Sequence, residues 1–133
     1  MRNPENVFHL AIPCKDLDEA KYYYVNSLGC KLARSYNDRI TLNFFGDQVV
    51  IHHSPEDVVP VPKLYPRHFG ITFKTKKDFD AFYNLAKLKE LTFFEDLKVR
   101  FKGKREEHLT FFLIDPSNNV LEFKYYNDPE MMY

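Results

Sequence analysis

The chain has 133 residues, 44% hydrophobic and 29% charged, enough for one ordinary domain with a packed core and too apolar for a disordered segment. Nineteen Lys and Arg balance nineteen Asp and Glu, so no net field draws the chain toward nucleic acid or an anionic membrane, and neither is expected as a partner. Cys14 and Cys30 make neither a metal-type pair nor a disulfide framework. MRNPENVFHL has no apolar leader core and no run nears about 18 apolar residues, so a reduced, cytoplasmic setting is expected.

In chain order, Val7 to Pro13 (VFHLAIP) is a short apolar run bounded by proline, which predicts a strand. Asp16 is an N-cap with Glu19 three positions on, as in a capping box, and opens a helix through DLDEAKYYYVNSLG. Its face is Leu17, Ala20, Tyr24 and Leu28, and Gly29 stops it. KLARSY, RITLNFF and QVVIHH follow as strands, the last two joined by a turn at Gly46-Asp47. SPEDVVPVPKLYPR holds four prolines and no sustained period, which predicts an extended linker.

Beyond the linker the order restarts. HFGITF predicts a strand, and Thr75 with Asp78 caps a helix through KKDFDAFYNLAKLKE with Phe79, Phe82, Tyr83 and Ala86 on its apolar face. LKVRF alternates with Leu97, Val99 and Phe101 on one side, HLTFFLI follows, and the turn DPSNN leads into VLEFKYY. Each half thus reads β-α-β-β-β, an internal repeat of element order with weak sequence identity. The expected class is α+β: one domain over 1–133, with module one at roughly 5–54, a linker at roughly 55–66 and module two at roughly 67–127.

Strand side chains alternate between faces, so parity assigns the polar residues. Leu121, Phe123 and Tyr125 should meet a helix, leaving Glu122 and Lys124 opposite. The same count leaves His68, Gly70 and Thr72 opposite Phe69, Ile71 and Phe73, and His9 opposite Phe8, Leu10 and Ile12. It leaves Gln48, Val50 and His52 opposite Val49 and Ile51, and Thr41 and Asn43 opposite Ile40 and Leu42. If these second faces curve together, His9, His68 and Glu122 form a two-His-one-carboxylate facial set that suits Fe(II), Mn(II), Ni(II), Co(II) or Zn(II). Parity equally allows ordinary hydrogen-bonded histidines, a wet sheet face, and Lys124 as the partner of Glu122.

FHLAIPCKDLDEAKYYYVNSLGC, HFGITF and DPSNNVLEFKYY resemble the vicinal oxygen chelate superfamily, which holds glyoxalase I, extradiol dioxygenases, fosfomycin-resistance thiol transferases and bleomycin-binding proteins. The resemblance covers nearly the whole chain. It implies two βαβββ modules making a cupped, partly open eight-stranded mixed sheet with helices outside, commonly in a homodimer. It also implies His9, His68 and Glu122 as metal ligands. The glyoxalase I glutamate position falls near Val50 or His52, which departs from a four-ligand site. FFLIDPSNNVLE is similar to the tail of the extradiol signature, but Phe112 stands where that pattern has Tyr and Asn118 where it has Gly. Residues 98–105 lack the upstream His of those enzymes, and His108 is out of register with it.

These readings predict a metal-dependent enzyme, a dioxygenase with Fe(II) or a lyase/isomerase with another divalent ion, whose small-molecule substrate chelates the metal through adjacent oxygens. His52 is the expected proton carrier, and Asn43, Gln48, His108 and Phe112 the expected substrate contacts, with His108 at the rim. The competing expectations are a bleomycin-type binder without chemistry, a fosfomycin-type thiol transferase, and a metal-free structural dimer. The basic run KVRFKGKREE reads either as a flap for an anionic substrate or as a solvated hairpin.

Overall fold

A computed structural model describes residues 3–133. Eight strands divide into two four-stranded mixed sheets of identical order, so the repeat read from the sequence is a repeat of topology. The first holds β1 (His9–Cys14), β2 (Lys31–Ser35), β3 (Arg39–Phe44) and β4 (Asp47–His53) in the order β1-β4-β3-β2. The second holds β5 (Phe69–Thr72), β6 (Phe93–Arg100), β7 (His108–Ile114) and β8 (Val120–Tyr126) in the order β5-β8-β7-β6. In each, the opening strand pairs in parallel with the last strand and the remaining pairs are antiparallel. The chain forms two compact units: described residues up to Val61 together with Pro116–Asn119, and Pro62–Asp115 with Val120–Tyr133.

In the first unit, Asp16 caps α1 (Leu17–Lys21) by accepting a hydrogen bond from the Glu19 amide at 2.9 Å. The helix then loosens into a π-helical turn over Tyr22–Ser27, where the Leu28 amide donates to the Tyr23 carbonyl five residues back. That extra residue per turn buries Tyr23 as well as the expected Ala20, Tyr24 and Leu28, while Leu17 is only half-buried. The turn between β3 and β4 falls at Phe45-Gly46, one residue earlier than the sequence suggested. Both residues have positive φ (53° and 99°), the geometry that matches the twist of a two-residue hairpin. Within this unit Ser117 Oγ accepts from the Lys15 amide at 3.0 Å, and Asn119 Nδ2 donates to the Pro13 carbonyl at 2.9 Å.

In the second unit, Thr75 caps α2 (Lys76–Leu88): its hydroxyl accepts from the Asp78 amide at 3.1 Å and donates to the Asp78 carboxylate at 2.7 Å. Phe79, Phe82 and Ala86 are buried on one helical face, as the spacing predicts. They meet the odd-numbered side chains of β7 and β8, with ring centroids 4.5 Å apart for Phe82 and Phe123 and 5.5 Å for Phe79 and Phe111. The LKVRF alternation does not mark a core strand. β6 begins earlier, at Phe93, and Leu97, Val99 and Phe101 are all exposed. The reason is position: β6 is a sheet edge with register shifts on both sides of Glu95, and its one inward aromatic, Phe93, lies against Phe111 and Tyr83.

Candidate metal centre

His68 lies one residue before β5, and the parallel β5-β8 ladder sets Gly70 opposite Glu122. The two strands approach so closely there that a Cβ on Gly70 would lie 1.7 Å from the Glu122 carbonyl oxygen. This close contact brings His68 Nε2 to 3.1 Å from Glu122 Oε2, with side chains only 24% and 12% exposed. His68 Nδ1 donates to the Leu64 carbonyl at 2.7 Å, which turns Nε2, the other ring nitrogen, toward the carboxylate. Lone pairs on those two atoms repel unless a proton or a cation lies between them. Lys124 Nζ is 3.5 Å from the same Oε2, and Thr110 Oγ1 donates to Oε1 at 2.9 Å. Both partners that parity left open for Glu122, the lysine and a histidine, are therefore present.

The first unit repeats half of this arrangement. The β1-β4 ladder sets His9 opposite Gln48, and His9 Nδ1 donates to Gln48 Oε1 at 2.6 Å, so Nε2 is the ring nitrogen turned away from that contact. An imidazole whose Nδ1–H is held by an oxygen is the usual state of a metal-bound histidine, so the donor chemistry of His9, His68 and Glu122 fits a divalent ion. Within each unit, the described residues contain no cluster of three or more His, Cys, Asp or Glu set to hold a metal.

The other expected site residues divide. Phe112 is paired with Glu122 across β7-β8, is fully buried, and lies edge-on to the His68 ring at 6.0 Å. His108 lies on the same face, two register steps away opposite Tyr126. It is buried rather than at a rim, its ring tilted against Tyr126 with centroids 4.5 Å apart and its Nδ1 donating to the Glu106 carbonyl at 2.9 Å. Asn43 sits opposite Gln48, but its carbonyl oxygen accepts from the Gly46 amide at 2.8 Å and holds the turn. His52 is exposed and opposite Pro13, four residues and so roughly 13 Å along β4 from the level of His9. A separate recess of about 340 Å³ in the first unit is lined by Asp16, Lys21, Tyr36 and His53 among others, and by none of the expected site residues.

Thr110 and Lys124 are the contacts of Glu122 that the sequence did not single out as site residues. The signal was present in the pairing of HLTFFLI with VLEFKYY, since a register that sets His108 opposite Tyr126 necessarily puts Thr110 beside Lys124. Burial shields both polar-bearing faces at their centres, where Thr41 and Val50 in the first sheet and Thr110 and Phe112 in the second are all buried.

A sequence model of the Glyoxalase/Bleomycin resistance protein/Dioxygenase superfamily matches residues 6–123, so the chain belongs to that superfamily. Among solved structures it is similar to a glyoxalase/bleomycin resistance protein/dioxygenase from Alicyclobacillus acidocaldarius, with 64% identity over all of both chains and a TM-score of 0.96. It shares its fold with the fosfomycin resistance protein FosX from Listeria monocytogenes, at 15% identity, 96% and 98% coverage of the two chains and TM-score 0.74. The same holds for a lactoylglutathione lyase from Agrobacterium tumefaciens, at 14% identity, 93% and 96% coverage and TM-score 0.68. No curated protein matches the sequence.

Proposed function

We propose that the protein is a metal-dependent enzyme, a lyase/isomerase or a dioxygenase, acting on a small molecule that chelates a divalent ion through adjacent oxygens. His68 and Glu122 are two of its ligands and His9 the third. The observation that carries this reading is the approach of His68 Nε2 to Glu122 Oε2 at 3.1 Å, with Nδ1 already donating to Leu64, so that both atoms face one point. When bound, the ion supplies Lewis-acid stabilisation of negative charge developing on a substrate oxygen, with Fe(II) the choice for oxygenation and Mn(II), Ni(II), Co(II) or Zn(II) for isomerisation.

The chain's own residues orient and shield. The Leu64 carbonyl fixes the His68 ring, Gln48 fixes that of His9, and the Thr110 hydroxyl holds one oxygen of Glu122 so that the other faces inward. Phe112 walls the site against water. Proton transfer by His52, as the sequence suggests, requires a substrate that reaches roughly 13 Å along β4 from His9. We read the protein as cytoplasmic, neither cysteine being in a disulfide, and as a homodimer like other members of its superfamily.

The test is metal analysis of protein purified without added metal, followed by His9→Ala, His68→Ala and Glu122→Ala. The expected result is about one transition-metal ion per chain, lost in all three variants. Turnover of methylglyoxal-glutathione hemithioacetal against aerobic turnover of a catechol panel then separates lyase from oxygenase. Protein that retains no metal and shows no change in Tm with any divalent ion defeats the proposal; ligand binding in that state is the signature of a bleomycin-type binder.

A further inference from the structure

The recess in the first unit lies outside the proposed metal chemistry, and two backbone contacts bring three segments together to form it. The Ser54 amide donates to the Cys14 carbonyl at 3.0 Å, which pins the start of α1 beside the end of β4. The His53 amide donates to the Asp38 carbonyl at 2.8 Å, which pins the β2-β3 turn beside the same strand end. Odd-numbered residues of β4 face away from the Gln48 and His9 side, so His53 opens onto the helix side of the sheet with Ile40, the register partner of Ile51. Buried Ile40 and half-buried Leu17 give the recess an apolar floor. Its volume of about 340 Å³ falls within the roughly 300–1,000 Å³ range of small-molecule sites.

Charge pairing separates the residues that line the recess from those just outside it. Outside, Lys15 pairs with Glu19 at 3.6 Å and Arg39 with Asp38 at 2.9 Å. Arg39 also lies 4.3 Å over the Tyr36 ring, which steadies that wall of the recess. Inside, Asp16 has one carboxylate oxygen committed to the Glu19 amide. The side chains of Asp18, Lys21 and His53 make no ion pair or hydrogen bond among the described residues. Asp18 and Lys21 stand three residues apart on α1, a spacing at which opposite charges ordinarily pair, and yet they do not meet. The recess therefore presents both signs of charge, each open to a third party.

We infer that the recess binds a small zwitterion, its ammonium group held by Asp18, its carboxylate by Lys21 and His53, and its aliphatic portion resting on Ile40 and Leu17. The ligand class is a free aliphatic α-amino acid. A purely anionic ligand would bring its charge against Asp16 and Asp18, and a purely cationic one would meet Lys21. A ligand with both signs satisfies both walls through charge-assisted hydrogen bonds and keeps the two protein charges apart. The site shares no residue with the proposed metal ligands and lies on the other face of the first sheet from His9, so it stands or falls independently of the metal.

The experiment titrates the full-length chain with L-leucine, with 3-methylbutylamine, which lacks the carboxylate, and with 4-methylpentanoate, which lacks the ammonium. The readout is the backbone amide NMR signals of Asp18, Lys21, Asn37 and His53. Leucine is expected to shift these signals saturably at millimolar concentration and to bind several-fold more tightly than either analogue. Asp18→Asn should remove its advantage over 4-methylpentanoate, and Lys21→Gln its advantage over 3-methylbutylamine. Both side chains are exposed, so the variants keep the fold, and metal uptake should be unchanged in each. The proposal is overturned by the absence of a saturable shift with leucine, or by an analogue that binds the wild-type chain as tightly. Leucine bound with undiminished affinity by the Asp18→Asn/Lys21→Gln double variant overturns it equally.

Discussion

Gly70 is a residue whose importance lies in what it lacks. Its backbone runs so near Glu122 that any β-carbon would have to push β5 away from β8. We predict that Gly70→Ala destabilises the chain by more than the roughly 1–3 kcal/mol typical of overpacking, because the obstacle is backbone and does not rotate aside. Metal uptake should fall with it, since His68 is carried on the same strand entry. Wild-type Tm and metal content in the alanine variant would show that β5 yields freely. Parity in HFGITF put Gly70 on the right face, but the close approach depends on a parallel partner 52 residues away and no local pattern reveals it. At Cys30, burial pushes the thiol up to about 12, which keeps it protonated and a poor nucleophile.

Among the elements, the clamp between α2 and β6 shows how charge supports an edge strand. Asp96 accepts from Lys87 Nζ at 2.6 Å and from the Tyr83 hydroxyl at 2.9 Å. Lys87, then the Leu97 amide, then Tyr83 hold the Asp96 carboxyl below its ordinary value near 3.8. A carboxyl whose folded pKa is depressed adds stability above its unfolded pKa and loses it as pH falls through the folded value. Asp96→Asn is therefore expected to lower Tm at pH 7 by a small amount, with the gap to wild type closing as pH falls below 3.8 and through the depressed folded value. A gap that is constant across that range would mean the carboxylate contributes nothing through its charge. Helix α2 itself was readable because cap, spacing and burial agree from Thr75 to Ala86. β6 was misread because alternation in LKVRF occurs on an edge beyond Phe93, where an apolar side chain has nothing to cover it.

For the molecule as a whole, a ligand that binds only the folded chain raises its stability by mass action. At a free metal concentration 100 times Kd, the expected gain is about 2.7 kcal/mol, seen as a rise in Tm that a chelator reverses and that Glu122→Ala abolishes. A rise that survives Glu122→Ala would place the ion elsewhere. Local pattern was sufficient for the element order, the two-fold repeat and the face on which each polar residue lies, because periodicity and capping are properties of neighbouring residues. It could not decide the partners of Glu122. Whether that carboxylate meets His68, Lys124 or water depends on which strands lie side by side and in what register, and those pairings join residues from both ends of the second unit. Long-range register brought all of these groups to one carboxylate, which periodicity within a single strand cannot do.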